Sequence, residues 1–350
     1  MEMNINELLK QTNDLEASDL HITVGVPPTL RINGFLSTLD YPQLNETDTY
    51  EMLYSIMNDE QKKKFEKVKE IDFSVELRNV ARFRVNVFLH RRGIGGAFRL
   101  IPDKIKSLEE LGLPGSLEDF TKKSKGLILV TGPTGSGKST TIASMVDLIN
   151  ENNRLHIITI EDPIEFIHKH KNCIIDQREI GLHTNSFSYA LRSALREDPD
   201  VILVGEMRDL ETIAMAVTAA ETGHLVFSTL HTNSAAETVE RIIDVFPTHQ
   251  QRQIRVQLAE SLRAVISQTL VPNIDETCRV PVVEIMQANP AIRNIIREER
   301  IHMIPSTIQS SKQQGMQSTD QCLRELYHNH IISREVALSK AVDQKYVVSY

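Results

Sequence analysis

Long apolar runs are missing from this 350-residue chain. None reaches the roughly 20 residues that a membrane-spanning helix needs. The opening, Met1-Glu2-Met3-Asn4-Ile5-Asn6-Glu7, has neither the basic region nor the apolar stretch of a secretory signal. Cysteine is scarce: Cys173, Cys278 and Cys322 stand far apart, which speaks against a disulfide framework and against a zinc site. Together these absences lead to the expectation of a soluble, reduced, intracellular protein. An excess of positive charge is also lacking. The net charge is −8, and the run Lys62-Lys63-Lys64 is followed by Glu66 and Glu70, as on a solvated helix face. A nucleic-acid surface displaces counterions with clustered Lys and Arg, so this balance weighs against DNA or RNA as a partner. Internal repeats and low-complexity segments are absent as well.

What is there belongs to an ordinary folded protein, with 41% hydrophobic and 25% charged residues. The length fits roughly two domains. The first hundred residues read as a small α+β unit. Thr29 to Ile32, the dipeptide Asn33-Gly34, then Phe35 to Leu39 carry the signal of a two-residue hairpin. Ile71, Phe73, Val75 and Leu77 alternate with polar residues, as do Ala81, Phe83, Val85, Val87 and Leu89, and Gly96 to Ile101 is a third extended run. A period of two calls for half-buried strands. Glu46 to Val68 reads as helix between them. A linker is expected over 102–116, which holds Pro102, Pro114 and Gly115.

From Gly126 the pattern changes. Short, nearly continuous apolar runs lie at Leu127–Val130, Ile157–Ile160, Val201–Val204 and Leu225–Phe227, with helical stretches between them. Strands buried on both faces and alternating with helices predict a parallel sheet in an α/β domain. After Pro247 the chain is expected to be mainly helical to its end.

The strongest local signal is Gly132-Pro133-Thr134-Gly135-Ser136-Gly137-Lys138-Ser139-Thr140, which fits the phosphate-binding pattern G-x-x-x-x-G-K-[ST]. It follows an apolar strand and opens a helix, as that motif requires. Its glycines let backbone N–H groups close around phosphates at the positive end of a helix. Lys138 is expected to reach the β- and γ-phosphates of ATP, and Ser139 to ligate Mg²⁺. Three further elements follow. Val201 to Val204 is a strand followed by Gly205, where an aspartate is usual, and then the acid Glu206. Ile160-Glu161-Asp162-Pro163-Ile164-Glu165 puts three carboxylates beyond a strand end, in the crevice where open α/β sheets bind ligands. From spacing alone this could equally be a solvated turn around Pro163. The fourth element, Gly223 to Asn233, clusters Thr229, His231, Thr232 and Asn233 at the carboxyl end of a buried strand, where a γ-phosphate could be sensed.

Taken in chain order, these four elements resemble the Walker A loop, aspartate box, atypical Walker B and histidine box of the secretion and type IV pilus ATPases, a branch of the RecA-like NTPases. The resemblance covers essentially the whole chain. Ala17-Ser18-Asp19-Leu20-His21-Ile22 through Pro27-Pro28 is similar to that family's PAS-like first domain. Ala291-Ile292-Arg293-Asn294-Ile295-Ile296-Arg297-Glu298 nearly matches the retraction signature A-I-R-N-L-I-R-E, with Ile295 in the leucine position. On its own terms it is an amphipathic helix with Ile292, Ile295 and Ile296 on one face. The assembly branch usually carries a longer N-terminal region and a four-cysteine insert, and this sequence has neither.

The resemblance implies a PAS-like domain over 1–101, then a RecA-like ATPase domain over 117–350 with a helical C-terminal extension. It implies a homohexamer that holds ATP and Mg²⁺ between domains and works through an inner-membrane pilus platform protein. An accessory retraction ATPase is a further possible partner, and contact with the membrane is expected only through partners. Glu206 is expected to orient water or act as base, with Glu161 and its neighbours assisting, and His231 to sense phosphate. Metal contacts are expected from Ser139, Glu161, Asp162 and Glu165. Arg84 and Arg99 alternate away from apolar neighbours onto polar sheet faces; by resemblance they line up with arginines that reach the γ-phosphate. Two other readings stand beside this one: a nucleotide-gated ring subunit with little turnover, and a RecA-like nucleic-acid motor.

Overall fold

Residues 4–32, 34–77, 80–101 and 104–349 are described by the structure, a computed structural model. The chain divides into two units, Met1–Lys104 and Ile105–Tyr350. Among the described residues, no helix is long and apolar enough to cross a membrane.

The first unit runs α1 (Ile5–Asp14), β1 (Asp19–Ile22), β2 (Thr29–Ile32), β3 (Phe35–Thr38), α2 (Glu46–Ser55), α3 (Asp59–Val68), β4 (Glu70–Leu77), β5 (Ala81–His90) and β6 (Gly93–Ile101). Its strands form one antiparallel sheet in the order β3-β2-β1-β6-β5-β4. Alternation places Phe83, Val85 and Val87 of β5 in a core with Leu8, Leu20 and Leu53, and leaves Arg84 on the open face. The hairpin β2–β3 pairs Ile32 with Phe35. Of the dipeptide expected to turn it, Asn33 lies outside the described residues. The helix expected over Glu46 to Val68 is two helices. Asn45 with Asp48, and Asn58 with Gln61, close reciprocal capping boxes that satisfy the free N–H groups of each first turn. A second set of caps at Asn58 restarts the chain and so breaks the run.

The second unit contains α4 (Glu118–Thr121), β7 (Gly126–Thr131), α5 (Lys138–Asn152), β8 (His156–Glu161), β9 (Ile174–Glu179), α6 (Phe187–Ala194), β10 (Val201–Val204), α7 (Leu210–Thr222), β11 (Leu225–Leu230), α8 (Ala235–Asp244), α9 (Thr248–Ser261), β12 (Leu262–Pro272) and β13 (Arg279–Gln287). Then come α10 (Pro290–Arg297), α11 (Ile304–Ser310), α12 (Thr319–His328), α13 (Arg334–Lys340) and α14 (Gln344–Val348). Of the expected linker, Pro102 lies outside the described residues, while Leu108 and Leu113 are buried in this unit's core. The sheet has the order β13-β12-β7-β11-β10-β8-β9, parallel except for β13. Leu127, Ile158 and Val226 face α6, α7 and α9 through Leu191, Ala216 and Leu258. Ile128, Leu203 and Phe227 face α5 and α12 through Ile142, Met145 and Leu323. Helices on both faces explain why the central strands carry no polar alternation.

One expectation is corrected here. The chain beyond Pro247 is not simply helical, because β12 and β13 extend the sheet as a long antiparallel hairpin. Its inner strand is covered on both sides, so Ala264, Val265 and Ile266 are all buried and no period of two marks it. Later, α10 buries Ile292, Ile295 and Ile296, while Arg297 on its far side meets Glu260 at 2.6 Å.

Candidate active site

Parallel register brings the carboxyl ends of four strands to one edge. Thr131 of β7 lies beside Leu230 of β11, Val204 of β10 beside Ser228 of β11, and Ile160 of β8 beside Val204. The segments that leave those ends bound a cleft of about 400 Å³.

Gly132 turns the chain out of β7 at φ 142°, a conformation open to glycine, and a Cβ there would lie 2.0 Å from the Gln268 carbonyl oxygen. The loop is thus pressed against β12, whose Gln268 also accepts from Thr141 Oγ1 at 2.7 Å. Thr134, Gly135, Gly137, Lys138, Ser139 and Thr140 line the cleft, while Gly132, Pro133 and Ser136 form the frame of the loop. Ser136 Oγ is buried without a partner. Lys138 begins α5 and folds back so that Nζ donates to Gly132 O at 2.8 Å and Pro133 O at 3.0 Å. Burial pulls its ammonium below the usual lysine range, against the opposing pull of Glu206 and Glu165.

Across the cleft, Gly205 lets two strand ends close up: its N–H donates to Ile160 O at 2.7 Å. A Cβ at this position would meet Ile160 O at 3.2 Å and Glu161 Cα at 3.3 Å, so the aspartate usual here would not fit without displacement. Glu206 follows directly, its side chain 19% exposed. Arg208 donates to Glu206 Oε2 at 2.7 Å and His231 Nε2 lies 3.3 Å from Oε1. Burial pushes the Glu206 carboxyl up, but the hydrogen bond and charge of Arg208, joined by His231, hold it below the usual range. Glu206 is therefore an anion at neutral pH.

Glu161 ends β8 in the opposite condition. Oε1 accepts from Thr159 Oγ1 at 2.7 Å and from Gln177 Nε2 at 3.2 Å, and Oε2 accepts from Glu165 N at 3.4 Å. Those three bonds favour the anion, yet burial outweighs them and pushes the carboxyl up to about 7. Two carboxylates with separated ionisation face one cleft, the arrangement that suits one anionic group and one proton carrier. Asp162, Glu165 and His231 line the same cleft.

The oxygen donors Ser139, Glu161, Asp162 and Glu165 suit a hard cation that retains water and phosphate ligands. Among the described residues, no three His, Cys, Asp or Glu side chains form a cage for a metal without such added ligands. Arg84 and Arg99 belong to the first unit, where they pair in register on β5 and β6. Arg99 Nε donates to Asp19 Oδ1 at 3.0 Å.

Several groups were not foreseen. Arg208 and Gln177 bond the two acidic side chains, Phe187 adds a wall, and Leu270 and Arg279 come from the hairpin. The run Glu206-Met207-Arg208 held a usable signal, a cation two residues past the strand-end acid. Leu270 and Arg279 had none once their segment was read as helix.

Comparison with known proteins adds four likenesses. The family described as type II/IV secretion system protein matches residues 1–349. The chain is 52% identical over 339 residues to the type IV pilus retraction ATPase PilT of Pseudomonas aeruginosa, covering 97% of this chain and 98% of that one. It is 52% identical over 314 residues to a twitching motility protein of Neisseria gonorrhoeae, covering 90% and 84%. The crystal structure of the pilus retraction motor PilT with bound ADP superposes with a TM-score of 0.92 at 49% identity, covering 98% of both chains.

Proposed function

Because this chain belongs to the type II/IV secretion system protein family over residues 1–349, we propose that it is the ATPase motor that powers type IV pilus retraction and twitching motility. The observation that carries the ATPase reading is the meeting of all four sequence elements in one cleft at the carboxyl edge of the sheet. The direction of work rests on likeness to PilT along nearly the whole chain.

In this reading the first unit is a PAS-like domain over 1–101, joined by a linker over 102–116 to a RecA-like ATPase domain over 117–350. Lys138 leaves the carbonyls of Gly132 and Pro133 and meets the β- and γ-phosphates of ATP. Ser139, with Glu161, Asp162 and Glu165, would hold Mg²⁺, which would spread the negative charge of the phosphates. Glu206, kept ionised by Arg208, orients a water whose oxygen attacks the γ-phosphorus as the bond to the bridging oxygen of ADP breaks. The proton lost by that water passes to the Glu206 carboxylate as phosphate forms, with Glu161 assisting. His231, against Glu206, senses the γ-phosphate. Arg84 and Arg99 approach the transferring phosphoryl group, where an arginine is worth about 10³–10⁵ in rate.

Six copies form a ring at the cytoplasmic face of the inner membrane and act on a platform protein, with an accessory retraction ATPase as a further partner. The test is genetic. In a piliated host lacking its own retraction ATPase, this chain restores twitching and the Glu206→Gln variant does not. Restoration by both would separate retraction from hydrolysis at this site.

A further inference from the structure

Behind the nucleotide cleft lies a second cavity of about 30 Å³. It shares Ser139, Glu161, Gly205 and Thr229 with the cleft, and Phe166 and His168 close it from the segment after β8. Gln177 of β9 fixes that segment. Its Oε1 accepts from His168 N at 2.8 Å, and its Nε2 donates to Phe166 O at 2.9 Å and to Glu161 Oε1 at 3.2 Å. One amide thus ties the carboxylate and the backbone of His168 together. His168 is only 7% exposed, and its Nδ1 is buried with no hydrogen-bond partner.

A buried nitrogen without a partner is uncommon in folded proteins and calls for an explanation, such as a bound water. A water needs about 10–15 Å³ for its centre and two to four polar neighbours. The cavity has room for one, and Glu161, Thr229 and Ser139 are the polar groups on its wall besides His168. Burial also pushes the imidazole down to about 4, opposed by Asp147 and assisted by Lys171, so the ring is neutral at pH 7 and Nδ1 can donate or accept.

We propose that this cavity binds a single ordered water that bridges His168 Nδ1 and the Glu161 carboxyl, which makes His168 a positioning residue for Glu161. The water pins the carboxyl from the cavity side, so that the group holds one direction while nucleotide enters and leaves. The positioning role rests on the reading that Glu161 takes part in hydrolysis; the water site does not.

The test combines a high-resolution crystal structure with steady-state kinetics of His168→Asn, His168→Leu and Glu161→Gln. An Asn amide sits where Nδ1 does and can hold the water, whereas Leu cannot. The expected map shows a water within hydrogen-bond reach of His168 and Glu161 in the wild type and in His168→Asn, and none in His168→Leu. His168→Leu is expected to lose about ten-fold in kcat, the low end of what the partners of a functional side chain cost. Its KM for ATP and its ADP affinity stay near wild type, and His168→Asn recovers most of the rate. A map with no water there, or with Nδ1 bonded to a protein atom, overturns the site. His168→Leu turning over at the wild-type rate, while Glu161→Gln is impaired, overturns the positioning role alone. Glu161→Gln at the wild-type rate removes the reading beneath that role and leaves the water to be judged by the map.

Discussion

Acid should weaken this fold through His168, and the size of the effect follows from its burial. An imidazole ordinarily titrates near 6.5, and here burial pushes it down to about 4. The folded state therefore refuses a proton that the unfolded chain accepts. Above pH 6.5 both states are neutral at this ring and the stability is fully present. As pH falls through the window from 6.5 towards 4, the unfolded state binds more protons and stability is lost. At about 1.36 kcal/mol per pH unit, the loss reaches about 2 kcal/mol by pH 5. For a unit of this size that corresponds to roughly 4–8 °C in Tm. Glu161 works the other way over an overlapping window, since its raised carboxyl costs stability as pH rises towards 7. Wild-type melting alone would show the two effects partly cancelled. The clean measurement is the difference between wild type and His168→Asn, melted without nucleotide at pH 7.5 and pH 5. The variant starts lower at pH 7.5 because it fills less of the site, then loses about 2 kcal/mol less than wild type on the way to pH 5. Parallel losses in the two proteins would refute the reasoning.

The remaining predictions concern the cleft and its supports. Gly132→Ala places a methyl group 2.0 Å from the Gln268 carbonyl at a φ that alanine resists, so ADP affinity should fall at least about ten-fold by titration calorimetry. Arg208→Ala removes the main group holding Glu206 below the usual range, so the acid limb of the kcat–pH profile should move towards neutrality. An unmoved limb would mean that Glu206 does not set it. Ile296→Ala hollows the contact of α10 with its core and should cost about 2–5 kcal/mol in thermal or denaturant unfolding.

Much of the second unit was legible because its strands are buried on both faces and bounded by loops with strong local chemistry. Leu127 to Val130 followed by a glycine-rich turn allows few readings, and parallel register then brings Glu161, Glu206 and His231 to the same edge as Lys138. The alternation around Phe83 and Val85 likewise exposed the face on which Arg84 lies. Elsewhere the pattern was silent for physical reasons. β12 is covered on both sides, so its apolar residues show neither helical nor alternating spacing, and the hairpin that carries Leu270 and Arg279 into the cleft was missed. Gln177 and Arg208 are single polar residues whose roles exist only once β9 and β10 flank β8. His168 lay three residues past the aspartate box, and only the cavity behind Glu161 gives it meaning. Gly205 shows the opposite case: where an aspartate is usual, the backbone of Ile160 and Glu161 lies close enough that a side chain would have to push it back by a few tenths of an ångström.

The most direct test of the central claim is Mg²⁺-dependent ATP turnover by the purified chain beside Glu206→Gln, with assembly mass recorded in the same samples. The account predicts a hexamer that hydrolyses ATP, and a variant hexamer that binds nucleotide but turns over at least about a hundred-fold more slowly. Equal turnover in the two would contradict the role given to Glu206. ATP binding without turnover in both would leave a nucleotide-gated subunit in place of a motor.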